Sequence, residues 1–84
     1  SQIGVQFYDQ SLGQVPLRVL GNGVPSLKLG DLLGLLKDRL EPGRYEALSS
    51  SGAAEEFVSL QRLRDAGIPV RYDAARDQLK FGEE

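Results

Sequence analysis

The sequence predicts a small α+β domain in which two β-hairpins form a mainly antiparallel sheet beside two short helices. Three observations point to this fold class. Residues near the start alternate between apolar and polar side chains, as in a half-buried strand. A leucine-rich segment in the middle has apolar residues three and four positions apart, the spacing of an amphipathic helix. Residues 57–81 contain a short apolar run, a second helical pattern and two further alternating segments, which predict a helix followed by a hairpin.

The first hairpin is predicted over residues 3–20. Apolar residues occupy alternate positions in 3–8 and again in 14–20, and the polar residues 9–13 between them are typical of a turn. Because proline cannot donate a backbone hydrogen bond, Pro16 predicts that the second strand lies at an edge of the sheet, or that the missing donor faces outward.

A short third strand over residues 26–29 is expected to lead into the first helix, predicted over about 31–40. Asp31 is a suitable N-cap residue, because its carboxylate can accept hydrogen bonds from free backbone N–H groups. Pro42 and Gly43 follow the leucine-rich stripe and are expected to end the helix.

The second half of the chain begins with irregular structure. One further helical turn is possible over residues 44–48, and the serine-rich residues 49–56 are expected to be a surface loop. A brief strand at 57–58 then precedes Ser59, the predicted cap of the second helix. Gly67 suits the left-handed position that ends a helix. The final hairpin is predicted to turn across residues 73–77.

The apolar positions that face inward on these elements give a predicted core. Its ten members are Val5, Phe7, Leu17, Val19, Leu33, Leu36, Leu63, Val70, Leu79 and Phe81.

Composition limits the classes of function. The 84 residues are expected to form one domain over 1–84. The chain begins at Ser1 rather than Met, as expected either for a mature product after signal cleavage or for a piece of a larger protein. The net charge of −2 and the interspersed signs argue against a nucleic-acid partner. No apolar run reaches the roughly 18 residues of a membrane span, so direct membrane insertion is not expected.

The residue types also argue against catalysis. The chain has no Cys and no His, which excludes thiolate zinc sites and histidine acid–base catalysis. Asp73 and Asp77 lack the spacing of a calcium loop and are interpreted as turn residues. Gly21 and Gly23 form an incomplete glycine motif and are interpreted as a turn. We therefore expect no catalytic residue, no metal site, no cofactor and no enzymatic activity.

Two segments resemble a known family. The opening "GVQFYDQSLGQVPLRV" resembles the first hairpin of the periplasmic N-terminal domain of outer-membrane pilus ushers. The closing "FVSLQRLRDAGIPVRYDAARDQLKF" is similar to the end of that domain, where a short helix precedes two strands. The resemblance implies a non-catalytic domain that recruits chaperone–subunit complexes, or another envelope protein, in the periplasm during pilus assembly or secretion.

The chain departs from the usher pattern in two respects. It lacks the cysteine pair that is common in that family. Ser1 lies almost at the first predicted strand, so a long recruiting tail is not expected. An usher-like domain of a different secretion system, or an internal domain, is therefore the expected variant, and the resemblance implies a fragment of a larger envelope protein.

The closing segment also resembles a second family, the small module at the N-terminus of copper amine oxidases and in many cell-envelope proteins. This alternative implies a structural or wall-associated role. A β-barrel encoded downstream would favour the usher interpretation, whereas tandem copies of the module or an attached hydrolase would favour the alternative.

The first hairpin carries the candidate partner-binding residues, which are Gln6, Tyr8, Arg18 and Leu20. Tyr8 and Leu20 are predicted on the sheet face opposite the core, where aromatic, aliphatic and Arg side chains suit partner docking. The alternative is that the second helix covers this face and that Tyr8 and Leu20 belong to the core.

Overall fold

The computed structural model describes residues 1–19 and 21–82 and confirms the α+β class. The strands are β1 (Gln2–Phe7), β2 (Gln10–Val19), β3 (Pro25–Lys28), β4 (Phe57–Ser59), β5 (Val70–Asp73) and β6 (Gln78–Phe81). The α-helices are α1 (Leu29–Leu36), α2 (Pro42–Ser49) and α3 (Leu60–Asp65), and short 3-10 helices cover Lys37–Arg39 and Gly52–Glu55.

The six strands form one sheet in the order β4-β3-β2-β1-β6-β5. All neighbours are antiparallel except β1 and β6, which pair in parallel. Both predicted hairpins are present, β1–β2 and β5–β6, and the parallel pair joins them in the middle. The two outer strands, β4 and β5, are linked in the chain by α3, which packs against both.

The first hairpin turns earlier than the sequence predicts. A two-residue turn begins at Tyr8, and β2 already starts at Gln10. The longer strand is accommodated by a β-bulge: the pairing shifts after Val5, so that Leu12 is an extra residue on β2. Gly13 in this bulge has φ +129°, a backbone conformation that favours glycine. The glycine expected in the turn therefore serves the bulge.

Pro16 does not place β2 at an edge, which corrects one of the two predicted possibilities. Strand β2 pairs with β1 up to Pro16 and with β3 from Leu17 onward. Because the β3 ladder begins one residue after Pro16, the strand changes partners where the proline has no N–H to donate. The interior location of β2 is thus compatible with this proline.

Both helix boundaries predicted around α1 are wrong. The helix begins at Leu29, with Lys28 in the N-cap position, and Asp31 lies in its first turn. Pro42 begins α2 instead of ending the first helix. Proline is well suited to the first turn of a helix, because its fixed φ is helical and the N–H that it lacks has no partner there.

The predicted surface loop over 49–56 is also partly wrong, since the 3-10 helix lies within it. The elements that follow are confirmed. Strand β4 pairs with β3, and the Ser59 hydroxyl accepts a hydrogen bond of 3.1 Å from the Arg62 backbone N–H. Gly67 has φ +86° after α3, as the sequence predicts for the end of a helix.

Most of the predicted core is buried. The seven confirmed members are Val5, Leu33, Leu36, Leu63, Val70, Leu79 and Phe81. Phe7 and Leu17 are partly buried and pack against them. The prediction that Val19 is buried is wrong, because this residue is 65% exposed at the last pair of the β2–β3 ladder. The buried apolar residues that the prediction missed are Ile3, Val15, Leu27, Leu29, Leu32, Val58, Leu60 and Ile68.

Among the described residues, the helices are all too short to cross a membrane.

Candidate partner-binding site

The structure does not gather the predicted partner-binding residues into one surface. Tyr8 lies in the turn at one end of the first hairpin, and Gln6 is nearby and partly buried. Arg18 lies eight residues beyond the start of β2, roughly 27 Å away at about 3.4 Å per residue. Leu20 lies outside the described residues. Tyr8 and Arg18 therefore belong to opposite ends of the hairpin.

Tyr8 is exposed but rests against its own chain. It adopts φ +54°, which is uncommon for a bulky residue, and its backbone N–H donates to the Phe81 carbonyl at 3.3 Å. Its ring meets the Phe7 ring edge-on, with 4.8 Å between centroids. With 54% of its surface exposed, Tyr8 is not covered by the second helix, so it is not a core residue.

Arg18 is engaged within the sheet. Its guanidinium carbon lies 4.0 Å from the centroid of the Phe57 ring, a cation–π contact that links β2 to β4 across β3. The buried Ser26 hydroxyl donates a hydrogen bond of 3.2 Å to the Arg18 carbonyl. A partner that used this guanidinium would have to bind it beside an aromatic ring that already stacks on it.

A different surface has the form of a binding site. We define the Tyr72 groove as the open cleft of about 230 Å³ where the ends of β2 and β3 approach the start of α3 and the β5–β6 hairpin. Its lining residues are Leu17, Val19, Gly23, Pro25, Leu60, Tyr72 and Leu79. None of these residues carries a charge, and the groove reaches inward to the fully buried Leu79.

Exposed apolar side chains are concentrated at this groove. Among the described residues, four large hydrophobic side chains are exposed: Tyr8, Val19, Val24 and Tyr72. Val19 and Tyr72 line the groove, and Val24 lies between two residues that do. Three of the four therefore belong to one end of the molecule, which is the distribution expected of an interaction surface.

Tyr72 is held in place at the rim of the groove. Its hydroxyl donates a hydrogen bond of 2.6 Å to the Asp77 carboxylate. This hydrogen bond raises the pKa of Tyr72, and partial burial and the negative charges of Asp77 and Asp73 raise it further. The phenol therefore stays protonated and neutral at physiological pH, and its hydrogen bond to Asp77 holds the ring at the rim of the groove.

The carboxylate of Asp73 organises the last turn. It accepts backbone hydrogen bonds from Ala75 at 3.1 Å and Arg76 at 3.3 Å. It also forms ion pairs with the Arg76 guanidinium at 3.2 Å and the Lys80 ammonium at 3.5 Å. These contacts support the interpretation of Asp73 as a turn residue, and in the described part of the chain no three potential metal ligands cluster.

The groove is not predictable from the sequence. Alternation shows on which face of the sheet a side chain lies, but it does not show how much of that face other elements cover. Leu17 and Val19 occupy alternate positions, as core residues of a strand do. Val19, however, is the last residue of β2 and is exposed at the groove. The Gly21 to Pro25 turn lies beside the groove and places Val24 in an exposed loop. A valine in a glycine-rich turn is a weak indication of an exposed apolar surface.

Comparison with known proteins finds no matching family model, curated protein or solved structure.

Proposed function

We propose that the chain is a non-catalytic protein-interaction domain of an usher-like outer-membrane assembly or secretion protein, and that it acts in the periplasm without a cofactor. The observation that carries this proposal is the Tyr72 groove. It combines a pocket for an apolar group with an aromatic rim and exposed valines.

The groove is better suited to a protein partner than to a reaction. Its lining residues offer apolar contact and no ionisable side chain other than the phenol of Tyr72, so it lacks an acid, a base and a strong nucleophile. Buried aromatic and aliphatic anchors contribute much of the affinity of protein interfaces. A single apolar side chain of a partner, inserted between Val19 and Tyr72, would remove both from water.

The compartment and the class of partner follow from the resemblance to usher domains. The two segments that carry it correspond to the β1–β2 hairpin and to the unit from β4 through α3 to β6. A chaperone–subunit complex of a pilus system is accordingly the partner that we propose first. The alternative is a structural, wall-associated module of the copper amine oxidase N-terminal type, for which no such complex would bind.

A binding experiment tests the proposal directly. Titration of the domain with purified periplasmic chaperone–subunit complexes, followed by calorimetry, is expected to show saturable binding. The Val19→Lys variant should weaken this binding at least about tenfold, because a charge would enter an apolar contact. Val19 is mostly exposed, so the variant is expected to remain folded.

The matched control is Tyr8→Lys, which places the same charge on an exposed apolar residue at the other end of the hairpin. Retained binding by this variant, with loss in Val19→Lys, assigns the docking surface to the groove. The opposite pattern would move it to the turn of the first hairpin. Absence of binding to every complex would reject the usher-like function and favour the structural module.

A further inference from the structure

A second apolar opening lies on the helical side of the domain. We define the α2–α3 cleft as the space of about 180 Å³ between α2, the 3-10 helix over Gly52–Glu55 and α3. Its lining residues are Leu29, Leu48, Ala53, Glu56, Val58, Arg62, Leu63, Ala66 and Ile68. It shares no residue with the Tyr72 groove, so it is a separate site.

The floor of the α2–α3 cleft consists of core residues. Val58, Leu63 and Ile68 are each less than 10% exposed, and yet they face an open space. One side chain of α2 reaches across the cleft: the Arg44 guanidinium donates a hydrogen bond of 3.5 Å to the Ala66 carbonyl. Helix α2 has no fully buried residue, and its Leu48 packs against the core at the edge of the cleft.

The rim carries a guanidinium without a partner. The Arg62 side chain is exposed and has no hydrogen bond, ion pair or ring contact within the described residues. Every other arginine has one, namely Arg18, Arg39, Arg44, Arg64, Arg71 and Arg76. Arg62 is therefore the one arginine in the described part of the chain that is left to bind a group from outside.

A carboxylate without a partner lies on the same rim. The Glu56 side chain has no hydrogen bond or ion pair within residues 1–19 and 21–82, although its backbone is fixed. Its N–H donates to the Ala53 carbonyl at 3.0 Å, and its carbonyl accepts from the Leu29 N–H at 3.1 Å. The backbone of Arg62 is fixed by the Ser59 cap. Two side chains of opposite charge thus project from fixed backbone positions beside an apolar space.

We propose that the α2–α3 cleft binds the C-terminus of a partner polypeptide that ends in an apolar residue. The last side chain fills the cleft, and its terminal carboxylate accepts a two-pronged hydrogen bond from the Arg62 guanidinium, whose planar fork matches a carboxylate. Glu56 binds a basic residue just upstream. Because the two rim charges have opposite signs, they fix the direction in which the peptide lies.

Short peptides test this site without knowledge of the natural partner. The probe is N-acetylated Lys-Ala-Leu with a free C-terminal carboxylate, and its matched control is the same peptide with a C-terminal amide. In ¹⁵N NMR titrations of the whole domain, the acid is expected to shift the backbone signals of Ala53, Ala66 and Ile68. The amide should bind at least about tenfold more weakly, since it loses a charge-assisted hydrogen bond.

Variants of the rim complete the test. Arg62→Gln should abolish the preference for the acid, and Glu56→Gln should weaken the binding of the lysine peptide but not of its Gln-Ala-Leu counterpart. Lys37→Gln removes a charge from a residue that does not line the cleft. It should change neither the preference for the acid nor the affinity for the lysine peptide. The proposal is overturned if the acid and the amide bind equally, or if Arg62→Gln leaves the preference for the acid unchanged. It is also overturned if the signal shifts are confined to another surface, or if no binding occurs at millimolar peptide.

Discussion

The Asp73 carboxylate in the last hairpin accepts hydrogen bonds from the backbone and forms ion pairs with two basic side chains. Burial by itself would raise the pKa of this carboxyl group. The backbone and side-chain hydrogen bonds from Arg76 and the positive charges of Arg76 and Lys80 together outweigh burial and lower the pKa of Asp73 below its usual value. The folded state therefore favours the ionised form, and the stability contributed by Asp73 depends on pH.

Replacement of Asp73 by asparagine should destabilise the domain at pH 7. Because the folded-state pKa is lowered, the ionised group contributes fully above its ordinary pKa of about 4, and the contribution is lost as the pH falls through the folded-state pKa. The stability difference between parent and variant should therefore shrink from pH 7 to pH 3. Urea unfolding at the two pH values measures this difference. Glu46→Gln, which alters an exposed carboxylate, is the control, and an Asp73→Asn variant as stable as the parent at pH 7 would contradict the assignment.

At the scale of single residues, the sequence was most informative where side-chain chemistry alone decides the local structure. Ser59 was predicted to cap α3 and Gly67 to end it, and both are confirmed. Val19 and Tyr8 were not predictable in the same way. Whether Val19 is covered depends on how far a helix extends over the sheet, and the position of Tyr8 depends on a register shift produced by a bulge several residues away.

At the scale of elements, α1 carries two glycines in different surroundings. A β-carbon added at Gly30 would lie 2.8 Å from the carbonyl oxygen of Ala54, in the backbone of the 3-10 helix. A β-carbon at Gly34 would meet nothing within 4 Å. Glycine thus allows the close approach of two helical elements at Gly30, but it serves no packing purpose at Gly34.

Two alanine variants of α1 should consequently have opposite effects. Gly34→Ala should raise the free energy of unfolding by about 0.5–1 kcal/mol, because alanine is the better helix former. Gly30→Ala should lower it by about 1–3 kcal/mol, because the two backbones would have to move apart. Chemical denaturation of both variants measures the changes. If both stabilise the domain alike, α1 and the 3-10 helix do not approach as described.

The elements themselves divide into predictable and unpredictable ones for physical reasons. Alternation and leucine spacing are local properties, so the strands and α1 were expected close to where they lie. Pro42 and Gly43 are ambiguous, because the same pair is suited to the end of one helix and the start of the next. Helix α2 has no fully buried residue, so the sequence predicts only one helical turn over residues 44–48, where the structure has a helix over Pro42–Ser49.

At the scale of the whole molecule, the core determines stability. Leu36 and Phe81 are 3% and 2% exposed. Truncation of either to alanine should cost about 2–5 kcal/mol, a large share of the 5–15 kcal/mol that is typical of a domain. Val19→Ala removes atoms from a mostly exposed side chain and should change the stability by less than about 0.5 kcal/mol. Thermal unfolding measures the melting temperatures of the Leu36→Ala, Phe81→Ala and Val19→Ala variants. Equal melting temperatures for all three variants would contradict the described packing.

The way in which the two hairpins pair within the sheet is not predictable from the sequence. Each hairpin is encoded by its own turn, whereas the parallel pairing of β1 with β6 depends on contacts between distant segments. Likewise, the Tyr72 groove is formed by residues of β2, β3, α3 and the last hairpin. The β1–β6 pairing and the groove have no local sequence pattern, because both form only when distant segments of the chain meet in the folded domain.

The parallel pairing of β1 with β6 also bears on synthesis. Of the six strands of this sheet, β1 is synthesised first and β6 last, and one edge of β1 is covered only once β6 has been made, because β6 lies between β1 and β5. Until then, β1 presents an open edge to its surroundings, and open edges promote aggregation. The segment before the final hairpin is therefore expected to aggregate more readily than the whole domain, because only the whole domain covers that edge of β1.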